Sequence, residues 1–356
     1  MVAHSFNSTP HLIHPEKRIL DALEQLEHIP DRTLLTLFVI DPHTGVLSGT
    51  ITDGDIRRGL LKGINVNDSC HLVQNPSFRH LILNEFDINQ IKEFQRLKIR
   101  LLPVLDAKHR LLELIDLSRL KSILPVDVVL MAGGRGQRLM PLTATTPKPM
   151  IEVAGKPILE WNLLRLKLFG IRRVFISVKY LSDVIREYFG TGEKLGIEIN
   201  YIEESEPLGT AGCMTMVKDW AFNDVLLMNS DLLTTVDFEA FYMAFKQADS
   251  AVSLVSIPYQ VLVPYAILET DGYEIQSLKE KPTFTYHANG GIYFLKRSLI
   301  EKFQNAAYLD ATDILDYSIQ HGMSVTHFPN LNYWLDIGQH PDLEKARSDF
   351  HNIQYL

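Results

Sequence analysis

The stretch GGRGQRLMPLTATTPKP, Gly133 to Pro149, follows directly on the apolar run VVLMA, Val128 to Ala132. A short apolar run that ends in glycines reads as a buried strand opening into a loop. Downstream the pattern recurs. ILEWNLLRLKLFG reads as a helix, VFISV as a strand, SDVIREYFG as a helix and IEINYI as a strand, and VLLMNSD and FEAFYMAFKQA continue the alternation. Such alternation predicts an α/β fold with a mainly parallel sheet covered by helices on both faces. Ligands of such sheets gather at the carboxyl ends of the strands, which places Gly133 to Pro149 on a binding rim.

The loop has the chemistry of an anion site. Gly133, Gly134 and Gly136 let the backbone pass close to a bulky ligand and turn its N–H groups toward phosphate oxygens. Arg135, Arg138 and Lys148 add positive charge, so the loop reads as a cradle for a triphosphate. The spacing is not GxxxxGK(S/T), and glycine-rich turns after strands also serve packing alone. The glycines by themselves leave both readings open.

The longer pattern GGxGxRLxPLT followed by PKP resembles the amino-terminal motif of the sugar-1-phosphate nucleotidyltransferases. The resemblance extends over roughly residues 127 to 350, where EESEPLGTAG, NSD, EKP and WLDIG follow in the family's order. It implies a Rossmann-like, GT-A-like domain that converts a nucleoside triphosphate and a sugar 1-phosphate into a nucleotide sugar and pyrophosphate. It also implies that Gly133, Gly134, Arg135 and Gly136 line the nucleotide. Arg138 and Lys148 would sit on the triphosphate, with Lys148 nearer the reacting phosphorus. Physical chemistry agrees independently. A sugar-phosphate oxygen is already a nucleophile, so the obstacles are bringing two polyanions together and stabilising the leaving pyrophosphate.

Asp231 ends the apolar run VLLMNSD at the same rim, and Asp336 lies in WLDIGQHPDL before a turn glycine. Two such carboxylates can share one Mg2+ whose remaining ligands are water and phosphate, although an Asp at a strand end also serves as a helix cap or turn former. The resemblance matches both to metal-binding aspartates and makes Asp231 catalytic with Arg138 and Lys148. Ser230 departs from the pattern, since many members carry glycine there.

The resemblance sets the PLGTAG loop, with Gly209, against the nucleobase, and Glu204 reaches the base edge. A carboxylate only accepts hydrogen bonds. Guanine offers adjacent N1–H and N2–H donors, whereas uracil and thymine present acceptors beside a single N–H. Guanine is therefore the expected base, and GTP the expected donor. Glu204 also fits an exposed acidic run, EESE. Glu280 and Lys281 in EKP match a pair on the sugar hydroxyls and sugar phosphate, Asn289 and Gly290 match the sugar pocket, and Trp334 reads as pocket wall or core.

Upstream the pattern changes, with Pro125 marking a break. Pro15 to His28 has helical spacing, LLTLFVID and VLSGTIT read as strands, and Gln90 to Leu97 reads as a second helix. FVID and PVLD recur at an offset of 65, so residues 1–122 are expected to form one small duplicated module ahead of a catalytic domain over 126–356. GTITDGDIRRGL resembles a CBS motif, and Thr52 and Asp55 match its phosphate- and ribose-contacting positions. In the second copy one gap aligns Asp116 and Arg119 with them, so that pair is lost. A tandem CBS (α+β) module implies either an adenine nucleotide sensor or a dimerisation or packing platform, and a homo-oligomer is expected. CBS modules ahead of such a domain resemble the glucosamine-1-phosphate guanylyltransferases of bacterial legionaminic acid synthesis. That makes glucosamine 1-phosphate the first expected sugar, with mannose or heptose 1-phosphate, or a uridylyl or thymidylyl transfer to another hexose 1-phosphate, as alternatives. A non-catalytic subunit sensing nucleotide sugars is the rival of another class.

Composition bounds these readings. The 356 residues are 46% hydrophobic and 22% charged with a formal charge of -8, which opposes general nucleic-acid affinity. No run is long enough to span a membrane, and MVAHSFNSTP lacks the basic-then-apolar order of a secretory leader. A cytoplasmic protein is expected. Cys70 and Cys213 lack metal spacing and read as buried free thiols.

Overall fold

The computed structural model describes residues 8–353, 355 and 356; residues 1–7, on which the leader reading chiefly rests, lie outside the described residues. The chain forms two compact units, one ending at Pro125 and including Leu168–Gly170, the other Val126–Lys167 with Ile171–Leu356.

The first unit runs β1 (Leu12–Ile13), α1 (Ile19–Glu27), β2 (Leu37–Ile40), β3 (Leu47–Ile51), α2 (Asp53–Leu61), β4 (Leu81–Ile82), α3 (Ile88–Arg96), β5 (Leu101–Leu105) and β6 (Leu111–Asp116). Helices α1 and α3 bury residues three or four apart, Ile19, Ala22 and Leu26 in one and Ile88, Ile91 and Phe94 in the other. Sheets β1-β2-β3 and β4-β5-β6 share one pairing scheme, parallel and then antiparallel. The internal repeat is visible down to its gap. Leu37 pairs with Ile51, whereas Leu102, 65 residues on, pairs with Ile115, 64 residues on. A bulge follows Val39 in one copy and Val104 in the other.

The second unit runs β7 (Val126–Met131), β8 (Glu152–Val153), β9 (Lys156–Pro157), α4 (Ile158–Leu168), β10 (Arg173–Val178), α5 (Ser182–Phe189), β11 (Glu198–Glu203), β12 (Asp224–Asn229) and β13 (Leu232–Thr234). It continues through α6 (Phe238–Gln247), β14 (Val252–Leu262), β15 (Ile267–Asp271), β16 (Glu274–Lys279), β17 (Thr283–Lys296), α7 (Arg297–Ile300), α8 (Ala311–Gln320), β18 (Val325–Pro329), β19 (Trp334–Asp336) and α9 (His340–Asp349). The main sheet has the order β11-β10-β7-β12-β17-β14-β18, and only β17 runs against the rest. Val128, Val129 and Leu130 are fully buried, as a parallel strand covered on both faces requires. From β7 the chain moves to β10 on one side and returns to β12 on the other, which opens a crevice at the carboxyl end of β7.

Candidate active site

The loop after β7 and the turn after β12 both open onto that crevice. β13 pairs antiparallel with β19 so that Leu232 faces Asp336, and the Ile337 N–H donates to the Asp231 carbonyl at 3.2 Å. This pairing sets two carboxylates from distant parts of the chain side by side. Lys148, in a 3-10 turn, donates from Nζ to Asp231 Oδ2 and lies 3.5 Å from Asp336 Oδ1. Gly136 admits the lysine. Its φ is +59°, and a Cβ there would stand 2.9 Å from Thr143 Cγ2 and 3.0 Å from Lys148 Cβ. The Arg138 guanidinium rests on Gly338, where a Cβ would come within 3.3 Å of Nη2.

The charges are mutually dependent. Burial raises the Asp336 carboxyl above its ordinary range and the like charge of Asp231 adds to this, while Lys148 and Arg138 oppose them. Asp231 Oδ1 is buried with no hydrogen-bond partner among the described residues. An orphaned carboxylate oxygen beside a second carboxylate is a donor set that fits Mg2+. Among the described residues no group of three or more His, Cys, Asp and Glu forms a metal cluster. Asp231 and Asp336 would therefore be the protein's share of the ligands.

Beside the carboxylates lies a cleft of about 770 Å3, lined by Gly133, Gly134, Arg135, Glu204, Gly209 and Asp231 among others. Glu203, Ser205 and Glu206 are exposed, whereas Glu204 is half-buried. The Ser177 hydroxyl donates to its Oε1 and the Leu208 N–H to Oε2 at 3.4 Å. A Cβ on Gly133 would stand 3.3 Å from Glu204 Oε1, so that glycine gives the carboxylate room. Gly209 has φ +82° and passes so near the Leu309 carbonyl that a Cβ would stand 2.5 Å from its oxygen. The Asp310 carboxylate accepts from the Thr210 N–H at 2.8 Å and holds the loop there.

Several lining residues escape the sequence reading. Lys179 follows directly on β10 and reaches the cleft, as do Asn229 and Tyr308. A basic residue closing a strand was the available signal for Lys179. Tyr180 donates to the Thr143 and Ala144 carbonyls at 3.2 Å and lies 6.0 Å under Arg135. Trp334 is half-buried and its indole N–H donates to the Gly290 carbonyl at 2.9 Å, while Asn289 Oδ1 accepts from the Gly291 N–H at 3.0 Å. Glu280 and Lys281 occupy an exposed turn between β16 and β17 and do not line the cleft.

In the first unit, Thr52 lines a cleft of about 430 Å3 together with Arg79, Lys98, Arg100 and Phe38. Asp55 does not line it. Its Oδ2 accepts from the Thr52 N–H at 2.8 Å and hydroxyl at 2.6 Å, and its Oδ1 from Arg58 at 2.5 Å. The pair thus forms the capping box of α2.

Residues 127–353 match a model of the nucleotidyl transferase family. The chain belongs to that family. This nucleotidyl transferase is 28% identical over 232 residues to the mannose-1-phosphate guanylyltransferase of Mycobacterium tuberculosis, covering 63% of this chain and 64% of that one. It is 26% identical over 242 residues to the UTP–glucose-1-phosphate uridylyltransferase of Synechocystis, covering 62% of each. The chain therefore spans less than two thirds of these relatives' lengths. The crystal structure of HddC from Yersinia pseudotuberculosis is 28% identical with a TM-score of 0.51 and covers 63% of this chain and 99% of that one. No helix among the described residues is long and apolar enough to cross a membrane.

Proposed function

We propose that residues 126–356 catalyse Mg2+-dependent transfer of GMP from GTP to a sugar 1-phosphate, with glucosamine 1-phosphate as the leading acceptor. The observation that carries this reading is the convergence of Lys148, Asp231 and Asp336 beside the glycine loop. A sugar-phosphate oxygen attacks the α-phosphorus, a new P–O bond forms, and the bond to the β-phosphate breaks to release pyrophosphate. The backbone of Gly133, Gly134 and Gly136 and the side chains of Arg135 and Arg138 hold the triphosphate. Lys148 leaves its resting partners for the reacting phosphate and stabilises charge there. Asp231 and Asp336 would hold Mg2+, which when bound neutralises phosphate charge. Glu280 is assigned to the sugar hydroxyls, Lys281 to the sugar phosphate, and Asn289 and Gly290 to the sugar pocket. The carboxylate of Glu204, which faces the cleft and can only accept, supports guanine. Relatives acting on mannose 1-phosphate with a guanylyl group support the same choice.

For residues 1–122 we infer a tandem CBS module that takes one adenine nucleotide in the cleft of Thr52, within a cytoplasmic homo-oligomer. The duplicated sheets and the basic, partly apolar cleft support it, and the free, buried thiols of Cys70 and Cys213 suit a reducing compartment. The deciding experiment is pyrophosphate release with Mg2+, crossing GTP, UTP, dTTP, ATP and CTP against glucosamine, mannose, glucose and heptose 1-phosphates. GTP with one sugar standing clear supports the proposal. A strong UTP or dTTP signal rejects the base, and silence with every pair promotes the non-catalytic sensor.

A further inference from the structure

Helix α4 carries three buried polar or charged residues, of which Asn162 and Arg165 are the most buried, at 1% and 3% exposed. Buried polar groups are unfavourable unless bonded, so their partners show what the helix holds. Asn162 Nδ2 donates to the Ser230 carbonyl at 3.1 Å, and Asn162 Oδ1 accepts from the Tyr355 hydroxyl at 3.1 Å. Arg165 donates from Nη1 to the Tyr355 carbonyl and from Nη2 to the Val236 carbonyl, both at 2.7 Å. Ser230 and Val236 lie on either side of β13, the short strand that Asp231 introduces. One helical turn of α4 therefore grips the carboxylate-bearing segment at both ends, and both gripping residues meet at Tyr355.

The grip has a defined polarity. Tyr355 is 3% exposed, its ring packs against Trp161 and Phe350, and burial pushes its phenol upward so that the hydroxyl stays a donor. With the tyrosine donating to Oδ1, the Asn162 amide must present its N–H to Ser230. The Ser230 hydroxyl in turn donates to the Met131 carbonyl at 2.5 Å, at the end of β7. The peptide in front of Asp231 is thus tied to β7 through its side chain and to α4 through its carbonyl. The serine that departs from the family's glycine supplies the first of these ties.

We propose that Tyr355 and Asn162 are positioning residues that fix the Ser230–Asp231 peptide and so aim the Asp231 carboxylate at a divalent cation. The proposal rests on the role assigned to Asp231 above. Groups behind metal ligands typically change metal affinity or activity by about 10–100-fold when altered, and Tyr355 stands two hydrogen bonds back, at the lower end of that range.

The test is Tyr355→Phe, which keeps the ring and removes the hydroxyl, read first by hydrogen exchange of the metal-free full chain. Amides at 229–233 should exchange faster than in the wild type while those of β10 keep their rates. The Mg2+ concentration for half-maximal turnover should rise about tenfold, with KM for the sugar 1-phosphate within about twofold of wild type. Asn162→Ala removes both the acceptor for Tyr355 and the donor to Ser230, so it should show the same phenotype, and adding Tyr355→Phe to it should change little. Exchange at 229–233 that is unchanged, or that rises equally throughout the unit, overturns the relay. Altered exchange with unchanged Mg2+ dependence overturns the positioning role. Because exchange needs no turnover, failure of the relay and failure of the enzymatic reading are told apart.

Discussion

Replacing Lys148 by Ala separates the two tasks assigned to its ammonium group. The side chain is 12% exposed and lies against Asp231, 19% exposed, and Asp336, 40% exposed. Breaking a fully buried ion pair destabilises by about 3–5 kcal/mol, whereas an exposed pair contributes about 0–1 kcal/mol. Partial exposure of both carboxylates sets the expectation near the lower figure, about 1–2 kcal/mol in the absence of metal. For a unit of this size that is a fall in Tm of about 2–8 °C. Added Mg2+ should restore most of it, because the variant leaves both carboxylates free for the cation, while the wild type gains less. Catalysis responds in the opposite sense to the rescue. Loss of one group that stabilises developing charge raises the barrier by about 2.7–4 kcal/mol, which is about 100- to 1000-fold in turnover. Thermal melts with and without Mg2+, set beside pyrophosphate release at saturating GTP and sugar 1-phosphate, read both effects. Near-normal turnover, or a melting point indifferent to Mg2+ in the variant, refutes the assignment of Lys148 between cation site and triphosphate.

Three further outcomes are expected. Glu204→Gln should shift the ratio of kcat/KM for GTP over UTP by about tenfold or more, since charge-assisted hydrogen bonds contribute about 1.5–3 kcal/mol; an unchanged ratio rejects the carboxylate as the reader of the base. Thr52→Ala should destabilise the first unit by about 1 kcal/mol through loss of the cap on α2, visible in thermal unfolding, and an unshifted transition would show that the capping box carries no weight. Burial pushes the thiol of Cys213 up to about 12 and that of Cys70 up to about 11, so a thiol reagent at pH 8 should label the native protein only at the rate of unfolding. Rapid labelling of either cysteine without denaturant contradicts the packing described.

Much of this architecture is written in local patterns. The run from VVLMA to FEAFYMAFKQA names β7, α4, β10, α5, β11, β12 and α6 in order because each is long enough to show its own period, whereas β8, β9 and β13 are too short to do so, and the 65-residue repeat with its single gap returns as two sheets whose registers differ by one residue. Gly136 and Gly209 are legible for the same reason: a positive φ and a close approach leave little choice but glycine. What the sequence conceals is pairing at a distance. Nothing near Asp336 announces that it will face Leu232, and Ser177, which engages Glu204 from the adjacent strand, reads as an ordinary strand residue. Asn162 and Arg165 are hidden differently. On a helix buried nearly all round they break no periodicity, and only their partners show that they hold carbonyls on either side of β13. Thr52 and Asp55 carry the opposite lesson, since a motif matched to a ligand also satisfies a helix end, and here the pair forms the cap of α2.

The pairing of β13 with β19 sets an order of assembly. The glycine loop, Lys148 and Asp231 leave the ribosome well before Trp334–Asp336, and closing so long a loop must precede any contact that rewards it. Lys148 and Asp231 can meet first. Asp336 arrives only when β19 lays itself along β13, bringing Gly338, the seat of the Arg138 guanidinium, with it. A growing chain therefore has the glycine loop and the Lys148–Asp231 pair before it has the second carboxylate assigned to the cation.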